Sequence, residues 1–493
     1  MSAAREFLWL GNGASAPWAD VPEWPAADLV AATAAELERG GRLCAWFGAP
    51  DGAATRLVAV LAFDGDNTLA VGRSEPLTGS YPALTPRQPQ AHLFEREVWE
   101  QHGLRPAGHP WLKPVRRTQG DRPAAGTFFE VAGGEIHEVA VGPVHAGVIE
   151  PGHFRFQCQG EEVLHLEIAL GYQHRGVEAA LAGGPRRATM SQMETVAGDT
   201  TIGHATAYAM TLEALAGAEA PLRAQWLRAL ALELERLANH TGDLGALAGD
   251  VAFLPTAAAC GKLRGDFLNF TALLCGNRFG RGWVRPGGGP LDLEPARADS
   301  LADKLRSALA EVAAATDWLW ESNAVRARFE LTGTLSHRQA EELGLVGVAA
   351  RASGLVRDVR FDHPAGWHRF AQMPVSTWPD GDVFARARVR WLEIQRAGKF
   401  LGEQLAAPPA GGIMEPLGAP AADALAVALV EGWRGEICHV AITDGAGKFR
   451  RYKIVDPSFH NWTGLALAMR RQAISDFPLC NKSFNLSYCG VDL

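Results

Sequence analysis

Between Gly142 and Tyr208 the sequence concentrates groups that can bind, ionise and pass protons. GPVHAGVIEPGHFRFQCQGEEVLHLEIALGYQHRGVE runs from Gly142 to Glu178, and METVAGDTTIGHATAYA from Met193 to Ala209. The first stretch supplies His145, His153, Arg175 and Glu178. The second sets Asp199 just ahead of His204, where a loop enters a helical pattern. A Glu, a His and an Asp sharing one desolvated cavity would shift one another's pKa values and could hand protons along. His145 and His153 suit a structural role in a hairpin as well as a ligand role.

The elements that must hold these groups can be read outward from them. His153, Arg155 and Gln157 alternate with Phe154, Phe156 and Cys158, so one strand face packs and the other meets something polar. Gln159 and Gly160 turn the chain, and Leu164, Leu166 and Ile168 continue the apolar face. Upstream, residues 25–115 read as a small α/β unit: a helix over 26–39 stopping at Gly40 and Gly41, strands over 42–47, 55–63 and 68–71, and a helix over 89–101. On that last helix Ala91, Phe94, Val98 and Trp99 form the packed side, while Glu95, Arg96, Glu97 and Glu100 read as a solvated face. A charged Pro/Gly linker follows, RRTQGDRPAAG. The expected division is an N-terminal segment 1–24, the α/β domain 25–115, a linker 116–127 and a second, mainly helical domain 128–493. Long helices are expected over 221–247, 296–321 and 380–404, strands over 437–442 and 449–455, and a helix over 461–472. Glu233, Arg236 and His240 fall three and four apart, which reads as a salt-bridged helix surface. The fold class is α+β.

Composition narrows the function. The chain has 493 residues, 47% hydrophobic and 21% charged, with 47 Lys+Arg against 55 Asp+Glu and a net charge of −8. This leaves no basic footprint, so nucleic acid is not expected as a partner. No apolar run reaches the roughly 18 residues of a membrane span, and MSAAREFLWLGNG lacks the features of a signal peptide. The expected location is the cytoplasm. Seven scattered cysteines, never spaced CxxC, argue against a disulfide framework, a zinc knuckle or an iron-sulfur knuckle.

Several strings, taken in order, carry a family resemblance. YPALTPRQPQAHLFEREVWEQHGLRPAGHP is similar to the small accessory peripheral-arm subunit of respiratory complex I. GPVHAGVIEPGHF, LGYQHRGVE, ELERLANH, NRFGRGWVRPGGG, LGLVGVAARASGLVRDVR and EGWRGE resemble the large subunit shared by [NiFe] hydrogenases and complex I. The whole resembles the fused subunit of membrane-bound, energy-converting hydrogenases such as formate hydrogenlyase. It implies a small α/β domain followed by a hydrogenase-large-subunit-like domain with a β-hairpin. It also implies an iron-sulfur small subunit and membrane subunits as partners, on the inner face of the cell membrane.

The resemblance also says what is missing. A nickel-iron centre needs four thiolates, supplied in the family as two CxxC pairs. Here the first pair's positions hold Ala197 and Thr200, within AGDTTIGH ending at His204; the second pair's hold Ser487 and Gly490, with Cys489 between them out of phase. With Leu493 last, the C-terminal tail that nickel-dependent relatives lose on maturation is expected to be absent. The family's quinone-binding Tyr falls at Gly198, and its hairpin-loop His has no counterpart in AGVIEPG (146–152), leaving His145 and His153 as nearby substitutes. Glu178 matches the proton-relaying Glu, Arg434 the Arg over the iron side, and His204 the His after the Cys pair. The expectation is no cofactor bound directly and no nickel-iron centre. A quinone is the small molecule the chamber could take, and NADH or iron-sulfur clusters, if used, sit on partner subunits. Three readings stay open: a subunit with a proton-coupling or quinone-reducing chamber, a redox-silent scaffold, and an active hydrogenase with an unusual site.

Overall fold

The computed structural model describes residues 6–118, 122–123, 128–145 and 149–493. Much of the 116–127 linker and residues 146–148, the start of the 146–152 loop, lie outside the described residues.

The N-terminal part is built on an antiparallel sheet ordered Leu8–Leu10, Thr68–Ser74, Ala54–Phe63, Arg42–Asp51, with Glu23–Trp24 pairing parallel to Thr68–Ser74. Strand Arg42–Asp51 is buried from Arg42 to Ala49, which explains its nearly unbroken apolar run LCAWFGA. Helix Ala26–Glu38 packs Leu29, Val30, Ala34 and Leu37 inward. Both long strands extend past their expected ends, because the pairing Pro50↔Thr55 and Asp51↔Ala54 carries the ladder to a tight Gly52 turn at φ +60°.

A second sheet is ordered Phe449–Val455, Glu436–Thr443, Ala424–Glu431, Ala14–Pro17, all antiparallel. The N-terminal segment therefore supplies an edge strand to a sheet formed more than 400 residues later in sequence, with Asn12 clamping Leu429 through both its backbone groups. The hairpin His153–Gln159 with Glu162–Ala169 gains a third strand, Ile136–Val141, which the sequence does not signal because its residues stay half exposed and weakly patterned.

Four long helices, Leu222–Asp250, Leu254–Cys275, Pro295–Glu321 and Val383–Ala406, form the helical body. Pro295–Glu321 and Val383–Ala406 follow the expected periodicity within a few residues; Leu254–Cys275 is not among the expected helices, its apolar residues lying around much of the helix. Apolar packing runs from the first sheet into the hairpin and helix Pro457–Ala468, where Phe94 meets Phe459 at 4.8 Å and Phe154 meets Phe477 at 4.8 Å.

Two charged helix faces expected to be solvated are instead buried. On helix His92–His102, Glu95, Arg96 and Glu97 are all inside. Glu95 accepts from Leu84 N, Thr85 N and Thr85 Oγ1, while Arg96 donates to the carbonyls of Lys113 and Pro114. On helix Leu222–Asp250, Glu233, Arg236 and His240 are fully buried. Glu97 is taken up by Lys453, and Glu233 and Arg236 by Arg360 and Glu393, all far away in sequence, so spacing along one helix could not reveal them.

Candidate functional site

Glu178 sits in the first turn of the short helix Val177–Leu181, entered through Gly176 at φ +65°. Its Oε1 accepts from Lys453 Nζ at 2.9 Å and Ile454 N at 3.0 Å, and its Oε2 from Arg451 Nη2 at 2.8 Å. Lys453 also donates to Glu97 Oε1 at 2.8 Å, which takes Arg116 Nη1 at 2.6 Å. Glu97 on helix His92–His102 thus belongs to the same buried network as Glu178. Burial alone would raise the Glu178 carboxyl, but Arg451, Lys453 and Arg116 hold it well below the usual carboxylate range.

His204 lies in the first turn of helix Thr201–Leu215, fully buried. Its Nε2 is 3.0 Å from Asp456 Oδ2 and its Nδ1 3.1 Å from His439 Nε2, while His439 Nδ1 is 2.9 Å from Tyr452 Oη. With Asp456 ionised, one tautomer assignment satisfies every member. Tyr452 O–H donates to His439 Nδ1, His439 Nε2–H donates to His204 Nδ1, and His204 Nε2–H donates to Asp456. Burial would raise Asp456, yet the His204 hydrogen bond and the nearby Arg434 charge lower it; burial pushes His439 far below the ordinary histidine range. His439 and Asp456 were not anticipated from sequence. A single His inside EICHVAIT reads as core, and only the register His439↔Ile454 brings it opposite the strand leading to Asp456.

Asp199 and Arg434 form a two-pronged pair, Nη1–Oδ1 at 2.6 Å and Nη2–Oδ2 at 2.8 Å. Arg434 is otherwise buried, stacked 4.0 Å over Trp433 and donating to the Asn485 carbonyl, whereas the Asp199 side chain is 35% exposed. The three groups expected to share one cavity are therefore separate clusters placed in series. Glu178 lies within electrostatic reach of His439, His439 bonds His204, His204 bonds Asp456, and Asp456 acts on Arg434, which holds Asp199.

The four positions of a nickel-iron ligand set converge here but carry the wrong atoms. Ala197 offers a methyl and Gly490 no side chain. Thr200 Oγ1 takes Trp433 Nε1 and Arg434 Nη1, and Ser487 Oγ takes Gly490 N. Cys489 is the one sulfur among these residues, its thiol pushed up to about 12 by burial and by Glu150. Hard, already bonded oxygens and one protonated thiol do not fit a centre that requires four thiolates. Gly490 backs against Asp456, where a Cβ would come within 2.7 Å of the carboxyl carbon, so the C-terminal segment itself fills the position. By contrast a Cβ at Gly198 would meet open space, so the loop presents a free face beside Asp199.

His145 and His153 each meet a hairpin carbonyl through one ring nitrogen, and the buried His153 Nε2 has no hydrogen-bond partner among the described residues. His145 Nε2 is 3.0 Å from the Gly152 carbonyl, and His153 Nδ1 is 3.2 Å from the Gly142 carbonyl. The hairpin still reaches the C-terminal segment, since Glu150 accepts from Tyr488 N at 3.0 Å and Cys489 N at 3.4 Å, and Tyr488 packs on Gly152. Arg175, from the LGYQHRGVE string, donates to the carbonyls of Thr195, Val196 and Cys489, tying the two loops together.

Behind the chamber lies a charged cluster whose spacing reads as surface. Arg236 reaches Glu233 at 3.1 Å and Glu393 at 3.0 Å, and His240 reaches Glu393 at 2.8 Å. Arg351 reaches Glu393 at 2.7 Å and Glu431 at 2.8 Å, and Arg360 reaches Asp358 at 2.6 Å and Glu233 at 3.0 Å. The one signal of it in the sequence is VAARASGLVRDVR, where arginines are set among apolar residues.

Glu235, partly buried, caps the His204 helix by accepting from Ile202 N at 2.7 Å and Gly203 N at 3.3 Å. Desolvation outweighs these hydrogen bonds and pushes its carboxyl up from 4.5 to about 8. A folded value above the unfolded one favours the folded state at low pH, and that contribution is lost as pH rises from about 4.5 to 8. Glu235→Gln keeps an acceptor oxygen for the closer amide, Ile202 N, and removes the titration. Urea unfolding should therefore show a gain over the parent chain at the top of this window and little difference at its bottom.

Residues 250–419 match the family described as "Respiratory-chain NADH dehydrogenase, 49 Kd subunit". The chain is 31% identical to formate hydrogenlyase subunit 5 of Escherichia coli K12, over 84% of this chain and 77% of that protein. It is 30% identical to the carbon monoxide-induced hydrogenase of Rhodospirillum rubrum, over 68% of this chain and 93% of that protein. It is also 28% identical to hydrogenase-4 component G of Escherichia coli K12, over 84% and 76% respectively. A chain of the membrane-bound sulfane sulfur reductase, an archaeal respiratory membrane complex, shares the fold at TM-score 0.67 and 23% identity, covering 73% of this chain and 99% of that one. With its hairpin, helical body and C-terminal segment meeting at these clusters, the chain belongs to the family that joins the 49 kDa subunit of respiratory NADH dehydrogenase to the large subunits of formate hydrogenlyase-type hydrogenases.

Proposed function

We propose that this chain is the peripheral subunit of a membrane-associated, complex I-like or energy-converting-hydrogenase-like oxidoreductase complex. It docks an iron-sulfur subunit and encloses a metal-free chamber that moves protons in step with electron transfer on its partners. The observation that carries this reading is the series Glu178, His439, His204, Asp456, Arg434, Asp199. It leads from a buried carboxylate to a half-exposed one beside the open face at Gly198. In the tautomer chain each acceptor nitrogen faces a donor, so a proton taken up at Tyr452 Oη can release the Nε2 proton of His204 to Asp456 without side-chain movement. Glu178 and Asp199 serve as the end stations and His204 as the relay; Arg434 is a fixed charge that positions Asp199 and does not itself hand on a proton, so water would bridge Glu178 to His439 and Asp456 to Asp199. A quinone head group, where one is the electron acceptor, would meet the Gly198 face, with the hairpin of His145 and His153 alongside.

No helix among the described residues is long and apolar enough to cross a membrane, so attachment would run through membrane subunits. Affinity purification of the tagged chain from membranes tests the assignment. The expected result is co-purification of an iron-sulfur subunit and integral membrane subunits, with nickel far below one equivalent per chain. Purification of the chain alone, or stoichiometric nickel, would overturn it. A scaffold reading draws support from the tight pairing of Glu178 with Arg451 and Lys453, and variants at Glu178 and Glu97 separate the two.

A further inference from the structure

A second cavity lies apart from the chamber, on the other side of the buried charged cluster. It has a volume of about 50 Å³, and its lining includes Leu232, Trp367, Arg360, His368 and Glu431. It adjoins an outer, more polar depression of about 310 Å³; the two share Asn12, Met210, Gln225, Arg228, Ala365 and Gly366. The outer rim carries Glu219 and Arg369, an ion pair at the surface with both side chains largely exposed. The inner cavity therefore lies between this surface depression and Glu431.

His368 is the observation that gives this cavity a purpose. It is only 7% exposed, lies against Phe400 at 5.6 Å, and neither ring nitrogen has a hydrogen-bond partner in the protein. A buried imidazole with both nitrogens unsatisfied costs free energy unless something in the adjoining cavity bonds to them. The space suits water: at 10–15 Å³ per water centre, about 50 Å³ accommodates roughly three to five molecules. It is too small for a ring-sized organic ligand, and the cations on its wall are already matched, Arg228 by Glu213 and Arg360 by Asp358 and Glu233.

We infer that this cavity holds a hydrogen-bonded water chain that delivers protons from bulk solvent, past His368, to Glu431 and the buried cluster behind the chamber. The inference rests on the proton-coupling reading above and gives it a supply route. In the step itself a hydrated proton gives up one O–H bond and a carboxylate oxygen of Glu431 gains one, with no change of oxidation state. Glu431 is placed to receive it, because Arg351 Nη1 and Val359 N hold one oxygen each at 2.8 and 3.0 Å. The groups facing it are Asp358, Arg351, Arg360 and Arg236, and those facing His368 are Glu233, Arg360, Asp358 and Arg236. Burial and Asp358 bring Glu431 up to about 7, while burial holds His368 down at about 4, so His368 stays neutral and Glu431 can exchange a proton near neutral pH. From Glu431 the cluster leads through Arg351 to Glu393 and His240. Asp243, beside His240, accepts from Asn485 Nδ2 at 2.6 Å, and the Asn485 carbonyl takes Arg434.

Infrared spectroscopy of the full chain tests this without the partner complex. The protonated-carboxyl band of Glu431 is assigned by its loss in Glu431→Gln, and its shift after rapid mixing into heavy water reports proton exchange. The expected result is exchange many orders of magnitude faster than that of the buried amides of strand Ala424–Glu431. Filling the cavity with Ala229→Leu, or with Met210→Phe should the first variant not fold, is expected to slow it at least about tenfold. Exchange in the parent chain only on the timescale of those amides, or an unchanged rate in a folded cavity-filling variant, would overturn the inference. Neither outcome depends on turnover, so failure here leaves the proton-coupling reading to its own test.

Discussion

Glu393→Ala is expected to cost the chain about 3–5 kcal/mol, the range for breaking a buried ion pair by removing one partner. Glu393 is 2% exposed and bonded to Arg351, Arg236 and His240 at 2.7, 3.0 and 2.8 Å. Removing it leaves two fully buried guanidinium groups short of one carboxylate, because Arg351 keeps only Glu431 and the more distant Asp358, and Arg236 keeps only Glu233, which it shares with Arg360. Burial would raise the Glu393 carboxyl, but Arg351, His240 and Arg236 hold it well below the ordinary 4.5. Its contribution is therefore complete above the unfolded value near 4.5 and is lost as pH falls below it. Urea unfolding at neutral pH should show the large loss, and the gap between variant and parent should narrow on acidification. Glu403→Ala, which removes an exposed i,i+4 partner of Lys399 at 3.8 Å, should leave the midpoint unchanged. A midpoint for Glu393→Ala close to that of Glu403→Ala would show that the cluster is solvated in solution.

The same cluster marks how far the sequence could be read. Helix periodicity placed Glu233, Arg236 and His240 on one face, correctly, but whether that face is wet depends on Glu393 and Arg360, 157 and 127 residues away. No window of local pattern contains both sides of such a contact. The ligand positions were legible for the opposite reason. Ala197, Thr200, Ser487 and Gly490 follow from two short registers, and no tertiary contact can turn those residues into thiolates. Between these extremes lie His439 and Asp456. Each is an unremarkable residue in a strand or at its end, and they become a relay only through the pairing of Glu436–Thr443 with Phe449–Val455 and the docking of the His204 helix. The edge strand Ala14–Pro17 was illegible for the same reason, since its partner Ala424–Glu431 lies at the other end of the chain.

Glu178→Gln is expected to lower coupled turnover of the assembled complex by at least about 100-fold, the scale at which a positioned proton-transfer group contributes. The substitution preserves shape and leaves acceptors for Ile454 N, but removes the charge that Arg451 and Lys453 share, so some stability is lost as well. Glu97→Gln separates the two effects. It takes an equally buried carboxylate from Lys453 and from Arg116, both at 1% exposure, while leaving the side of Glu178 that faces His439 intact. If protons pass through Glu178, the two variants should lose a similar amount of stability, yet only Glu178→Gln should lose turnover, with kcat falling and KM holding. Tyr452→Phe, at the far end of the histidine relay, should then reduce turnover by a smaller factor, because it breaks the donation to His439 Nδ1 but leaves Glu178 and Asp456 in place. If the chamber is only a scaffold, both Glu variants should reduce the yield of assembled complex in parallel, and whatever complex survives should turn over at the parent rate. The contrast between Glu97 and Glu178 decides the matter because the two carboxylates share Lys453 and differ in what lies beyond it: for Glu97 the Arg116 pairing, for Glu178 the path to His204 and Asp199.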